Sequence, residues 1–200
     1  MKVDFVRFVP KEFYFDYDNF VVFTENPESL SGFLKGYLIK VESPKDLLSK
    51  LRKAKRDWFV GVVGDLKVLR YAVMRWRVDL ILDFDGRELD YSLIKMAKEK
   101  DVTIEISFSK FLRCRGFERS KLFEETVEIL KVIRKFDTPF VLTSGANDFY
   151  ELRPKRQILE FFEYLGADIK RAEYWMKRLV RRYTDPNYIM DGLEIVGEDC

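Results

Sequence analysis

Short apolar, β-branched runs alternate along the chain with stretches whose apolar residues recur every three or four positions. The runs "VDFVRF" (3–8), "NFVVFT" (19–24), "YLIKVE" (37–42), "WFVGVV" (58–63), "VDLILDF" (78–84), "TIEISFS" (103–109) and "FVLTSG" (140–145) predict seven strands. Between them the spacing predicts helices near 27–35, 44–56, 65–76, 90–100, 117–136, 154–165 and 168–182. Pro44 with Asp46 opens the second helix and Asp65 precedes the third. In the helix at 117–136, Phe123, Val127, Leu130 and Ile133 lie on one stripe.

Repeated strand–helix alternation predicts a parallel sheet with helices outside. About seven such units without a linker predict an α/β fold: one TIM-like (β/α) barrel over residues 1–200. A doubly wound open sheet is the alternative. No G-x-G-x-x-G follows the early strands, and "VVGDLK" lacks the glycines of a dinucleotide site. The aromatic "EFYFDYDNF" (12–20) reads as packing or contact surface.

Composition narrows the chemistry. Hydrophobic residues make up 47% of the 200, ample for a packed core. Charged residues reach 35% yet the net charge is only +2, so affinity for nucleic acid must come from local clustering. Two cysteines, Cys114 and Cys200, supply neither a disulfide framework nor a zinc set. With no apolar leader after Met1 and no run approaching a membrane span, the expectation is a cytoplasmic protein without membrane contact. Histidine is absent, which removes His-based triads and zinc sites of the H-E-x-x-H type. No catalytic residue, metal or cofactor is therefore expected.

The cations fall into clusters. "RKAKR" (52–56) reads as the basic end of a helix, where positive charge suits the dipole. The segment 110–121 follows a strand and so belongs at the C-terminal face of a barrel, with Lys110, Arg113, Arg115, Arg119 and Lys121 interleaved with Phe111 and Phe117. Basic and flat groups together suit RNA, although a solvated loop fits the composition as well. Drawn as a helix, 168–182 sets Ile169, Ala172, Met176, Leu179 and Tyr183 opposite Lys170, Arg171, Lys177, Arg178, Arg181 and Arg182, with Tyr174 among them. That basic face is either solvated or a contact for RNA or an acidic protein. Asp83, Asp85 and Glu105 could hold Mg²⁺, but salt bridges to nearby Arg and Lys are the favoured reading. At 143–156, Thr143, Ser144, Gly145 and Ala146 followed by Arg153, Lys155 and Arg156 predict a phosphate cradle at a strand end and helix start.

Three of these stretches, "VDLILDF", "VTIEISFSKFLR" and "VLTSGANDFYELRPKRQILEFFEYLG", come in an order and spacing that resembles the archaeal ribonuclease P protein component 3 family. This is the counterpart of the thirty-kilodalton protein subunit of the eukaryotic enzyme. The resemblance covers about residues 60 to 185. It implies a barrel related to the polymerase-and-histidinol-phosphatase-type phosphoesterases but without their metal ligands. It also implies a non-catalytic role in ribonuclease P, which removes the 5′ leader from precursor tRNA. The implied partners are the catalytic RNA, protein component 2 and other protein subunits, and precursor tRNA within the complex. By position it makes Arg70, Lys110, Arg119, Arg153 and Arg156 candidate RNA contacts; Arg115 and Lys155 join them on charge. A metal-dependent phosphoesterase on Asp83, Asp85 and Glu105 is the alternative function.

Overall fold

A computed structural model describes residues 1–195 apart from Phe13, Asp16 and Asp191. Seven parallel strands follow one another in sequence order: β1 (Val3–Val6), β2 (Asn19–Thr24), β3 (Leu34–Lys40), β4 (Phe59–Val63), β5 (Leu80–Ile81), β6 (Thr103–Ser107) and β7 (Phe140–Thr143). The ring closes just past β7. Val6 bridges Ala146 in parallel, the Gly145 N–H donates to the Phe5 carbonyl at 3.1 Å, and the Arg7 N–H donates to the Ala146 carbonyl at 2.8 Å. The fold is thus a TIM-like barrel, and closure removes the doubly wound alternative.

Helices cover the outside from β3 onward: α1 (Pro44–Leu51), α2 (Leu66–Val73), α3 (Tyr91–Glu99), α4 (Ser109–Arg113), α5 (Gly116–Phe136), α6 (Lys155–Tyr164) and α7 (Ile169–Thr184). Their starts are written locally. Ser43, Asp65, Asp90 and Asp168 each accept a backbone N–H of the first turn, and Pro44 has no N–H that needs an acceptor there.

The helix expected at 27–35 does not form. Pro27–Ser29 makes one 3₁₀ turn, Gly32 takes φ +80°, and β3 starts at Leu34, three residues earlier than its apolar run suggests. Among the described residues no helix links β1 to β2 either. Tyr17 and Phe20 from that aromatic crossing pack with Val6, Val22, Leu30, Ala146 and Leu152 in a separate apolar cluster. Beyond α7 a short hairpin, β8 (Tyr188–Met190) with β9 (Leu193–Glu194), was not foreseen. Residues 196–200, including Cys200, lie outside the described part.

The barrel interior is filled by few, large groups. Phe23 meets Phe5 edge-on at 5.3 Å, and a Cβ at Gly36 or Gly61 would come within 2.9 Å of the Phe23 ring. Those two glycines on β3 and β4 therefore give the ring its space. Above this layer the interior turns from apolar to ionic.

Candidate functional site

Strand alternation sends Arg7 inward like Phe5, although only the C-terminal end of the barrel lies beyond it. Its guanidinium, 5% exposed, pairs with the fully buried Glu105 from β6 and stacks against Phe23 and Phe84 at 5.2 and 5.1 Å. Glu105 also accepts from the Thr143 hydroxyl and the Asp83 N–H, both at 2.7 Å. Asp83 in turn accepts from the Ser107 N–H and from Lys110 Nζ at 2.8 Å, and pairs with Arg87 at 3.0 Å. Burial would raise the Asp83 pKa, but the Arg87 and Lys110 charges overcome it and hold the carboxyl below its usual range. Arg113 spans outward from there to Asp85 and Glu151, each at 3.0 Å.

The three candidate metal carboxylates are consequently each engaged by a cation: Asp83 by Lys110 and Arg87, Glu105 by Arg7, and Asp85 by Arg113. No group of three or more potential ligands suited to a metal occurs among the described residues. The salt-bridge reading of these carboxylates is the one the geometry bears out. Sequence reasoning missed Arg7 and Arg87 and assigned Thr143 to a phosphate cradle, whereas its hydroxyl donates to Glu105; a cation at an inward alternation position is the signal that could have found Arg7.

The 143–147 turn is not an open cradle. The Ser144 N–H donates to Asp4 at 2.8 Å, the Gly145 N–H to Phe5, and the Asn147 N–H to Glu151 at 2.8 Å. The turn closes the barrel instead of presenting donors to a phosphate. Gly145 is required there: φ is +56°, and a Cβ would lie 2.4 Å from the Ser107 Cβ. Asp4 also receives the Phe5 N–H at 2.9 Å, but its second oxygen is buried without a partner, and burial pushes its pKa up to about 6.

The seven candidate RNA cations spread over several surroundings. Lys110 is 12% exposed inside the ionic network, and Arg70 pairs with Asp90. Arg115 is exposed with no ion pair among the described residues, and Arg119 donates to the Cys114 carbonyl at 2.7 Å. Arg153 donates to the Tyr150 and Leu152 carbonyls, Lys155 pairs with Glu173 at 2.7 Å, and Arg156, 87% exposed, pairs with Glu160 at 2.6 Å. Thus Glu173 and Glu160 relieve the cationic start of α6. Segment 110–121 is helical at both ends, not a loop, and Phe111 is buried among Phe123, Phe161 and Phe162, leaving only Phe117 of its two rings open to solvent. On α7, Arg178 and Arg182 share Asp101, Arg171 pairs with Asp137, and Arg181 pairs with Asp185 and Glu194. Trp175 and Val180 join the buried face of α7 beside the residues foreseen there.

One other surface differs in sign. Between α2, α3 and α5 a groove of about 560 Å³ has a floor of Leu66, Leu89, Ile94, Ile129 and Val132 and a rim that includes Glu88, Glu124 and Glu128. Glu88 and Glu124 have no ion pair among the described residues.

A family model described as RNase P subunit p30 matches residues 25–185. A protein from Archaeoglobus fulgidus named ribonuclease P protein component 3 is 48% identical over 193 residues, covering 96% of this chain and 94% of its own. One of the same name from Methanosarcina mazei is 30% identical over 184 residues, covering 86% and 77%. In structure, a chain from a cryo-EM structure of archaeal ribonuclease P with mature tRNA superposes over the whole length of both with a TM-score of 0.78 at 22% identity, a likeness of fold. Together, the family model across most of the chain and the near-full-length relative place this chain in the RNase P subunit p30 family.

Proposed function

We propose that this chain is a protein subunit of ribonuclease P that binds and stabilises the catalytic RNA for removal of the 5′ leader from precursor tRNA, and performs no chemistry itself. The observation that carries the reading is the 48% identity to a ribonuclease P protein component 3 over nearly all of both chains. The barrel's mouth supports the non-catalytic part. Where TIM-barrel enzymes keep reactive groups free, this chain spends its carboxylates on internal cations. Nothing in that arrangement favours the phosphoesterase alternative.

Within this reading the exposed Arg115, Arg119 and Arg156 and the half-buried Arg153 and Lys155 serve as sequence-independent phosphate contacts, and Lys110 and Arg70 chiefly brace the fold. The apolar groove with unpaired carboxylates would repel RNA, so it suits a protein surface carrying basic residues around an apolar anchor, such as that of component 2. The assembly would work in the cytoplasm. No helix among the described residues is long and apolar enough to cross a membrane.

Reconstitution tests the proposal. The chain, added with its partner subunits to the catalytic RNA, is expected to raise precursor-tRNA cleavage and to cleave nothing alone. No stimulation where the other subunits work, or metal-dependent hydrolysis by the chain alone that Asp83→Asn abolishes, would overturn it.

A further inference from the structure

The basic run 52–56 starts at the end of α1, where Arg52 is the C-cap and its N–H donates to the Leu48 carbonyl, but Lys53, Lys55 and Arg56 lie in the loop that leads into β4. A second loop, 74–79, leads from α2 into β5 and carries Arg75, Trp76 and Arg77. Because β4 and β5 pair, both loops meet at the N-terminal end of the barrel, where Arg77 donates to the Ala54 and Lys55 carbonyls. A cavity of about 350 Å³ opens between them, lined in part by Lys55, Arg56, Trp58, Trp76, Arg77 and Asp79. That size falls within the roughly 300–1,000 Å³ of small-ligand sites.

Three features of this end lack an intramolecular reason. Arg52, Lys53 and Arg56 make no ion pair among the described residues, and Lys55 has an exposed pairing to Glu28 with its ammonium 5.5 Å over the Trp58 ring. Trp76 is 88% exposed, with the Arg77 guanidinium over its indole at 5.2 Å. Trp58 is 4% exposed, yet its indole N–H finds no acceptor among the described residues, while Asp79 beside it accepts the Val60 N–H and the Tyr183 hydroxyl. Cations for a phosphate, an open indole for a flat ring and an unused indole N–H make the set that unpaired nucleotides engage. An acidic peptide would answer the charges alone.

We infer that the N-terminal end of the barrel, built from the 52–58 and 74–79 loops, binds an unpaired nucleotide of an RNA strand, with Trp76 against the base and Arg56 with Lys55 on the flanking phosphate. The inference rests on the ribonuclease P reading for the source of the RNA. It puts a contact at the end of the barrel opposite the ionic mouth.

The test is binding of the full chain to a fluorescent single-stranded RNA decamer and to the same sequence as a duplex, followed by the reconstituted catalytic-RNA assay. Trp76→Ala should weaken single-strand binding about fivefold or more, and Trp76→Phe should restore most of it. Arg56→Ala should weaken binding and flatten its salt dependence by somewhat under one unit. Equal binding of strand and duplex, no effect of Trp76→Ala, or a loss confined to partner-protein binding would overturn the inference. If wild type stimulates the catalytic RNA while these variants match it in every binding arm, the site fails and the ribonuclease P reading stands. If wild type does not stimulate, that reading fails first.

Discussion

The two ends of the barrel handle charge in opposite ways. At the C-terminal mouth, Arg7, Arg87, Lys110 and Arg113 face Glu105, Asp83, Asp85 and Glu151, so nearly every charge has a fixed opposite. At the N-terminal end, Arg52, Lys53 and Arg56 have none, and a tryptophan stands in solvent beside them. A buried charge without a partner is costly, so the mouth must be neutralised from within; an exposed cation is cheap to leave open and stays available for an outside anion. In this fold, the interior of the end that usually holds chemistry has become structural, while the other end keeps cations open to an outside anion.

The largest expected effect comes from opening the mouth. Glu105→Ala leaves the Arg7 guanidinium buried without a counter-charge and strips acceptors from Thr143 and the Asp83 N–H. Urea denaturation should show a loss of about 3–5 kcal/mol. A loss below 1 kcal/mol would mean that water reaches Arg7 and the mouth is not closed.

Next is Asp4, whose second oxygen is buried and unpartnered beside the closing turn. Its folded-state pKa of about 6 lies above the usual 3.8, so the folded chain holds this proton more tightly than the unfolded chain does. The stability it contributes is present in full below about pH 4 and is lost as pH rises through 6, up to about 3 kcal/mol. Denaturation from pH 4 to 7 should therefore show wild type losing ground to Asp4→Asn across that window. Parallel curves would contradict the assignment.

Gly145→Ala sharpens the account of closure, since it forces a left-handed φ on alanine and drives a Cβ into Ser107. About 1–3 kcal/mol should be lost, read as a lowered denaturation midpoint. Smallest in stability is the double reversal Glu124→Lys with Glu128→Lys on the groove rim, expected to stay within about 0.5 kcal/mol because both side chains are exposed. It should nonetheless weaken capture of a basic partner subunit, measured by calorimetry; unchanged affinity would remove the groove as a protein site.

How far the sequence discloses this picture depends on the range of each interaction. Strands β2, β4, β6 and β7 are legible because a run such as "NFVVFT" reports its own burial, and the helix starts at Ser43, Asp65 and Asp90 are local capping events. The helix expected at 27–35 fails because its spacing of apolar residues ignores Pro27 and Gly32, which force a 3₁₀ turn and a reversal. The mouth is not legible from spacing, since Arg7 and Glu105 stand 98 residues apart and meet only when the barrel closes. Likewise "TSGA" reads as a donor-rich turn until Asp4 and Phe5 arrive from the other end of the chain to take its N–H groups. Cation clusters were visible throughout, but which of them are spent internally is a tertiary fact.

The central claim is that the cations inside the mouth are neutralised by internal carboxylates, while those at the opposite end stay free to contact RNA. It is tested most directly by the salt dependence of RNA binding for Arg56→Ala beside Lys110→Ala. The account predicts that Arg56→Ala lowers the slope of log affinity against log salt by somewhat under one unit, while Lys110→Ala, whose charge is taken up by Asp83, leaves the slope unchanged. The reverse pattern would contradict it.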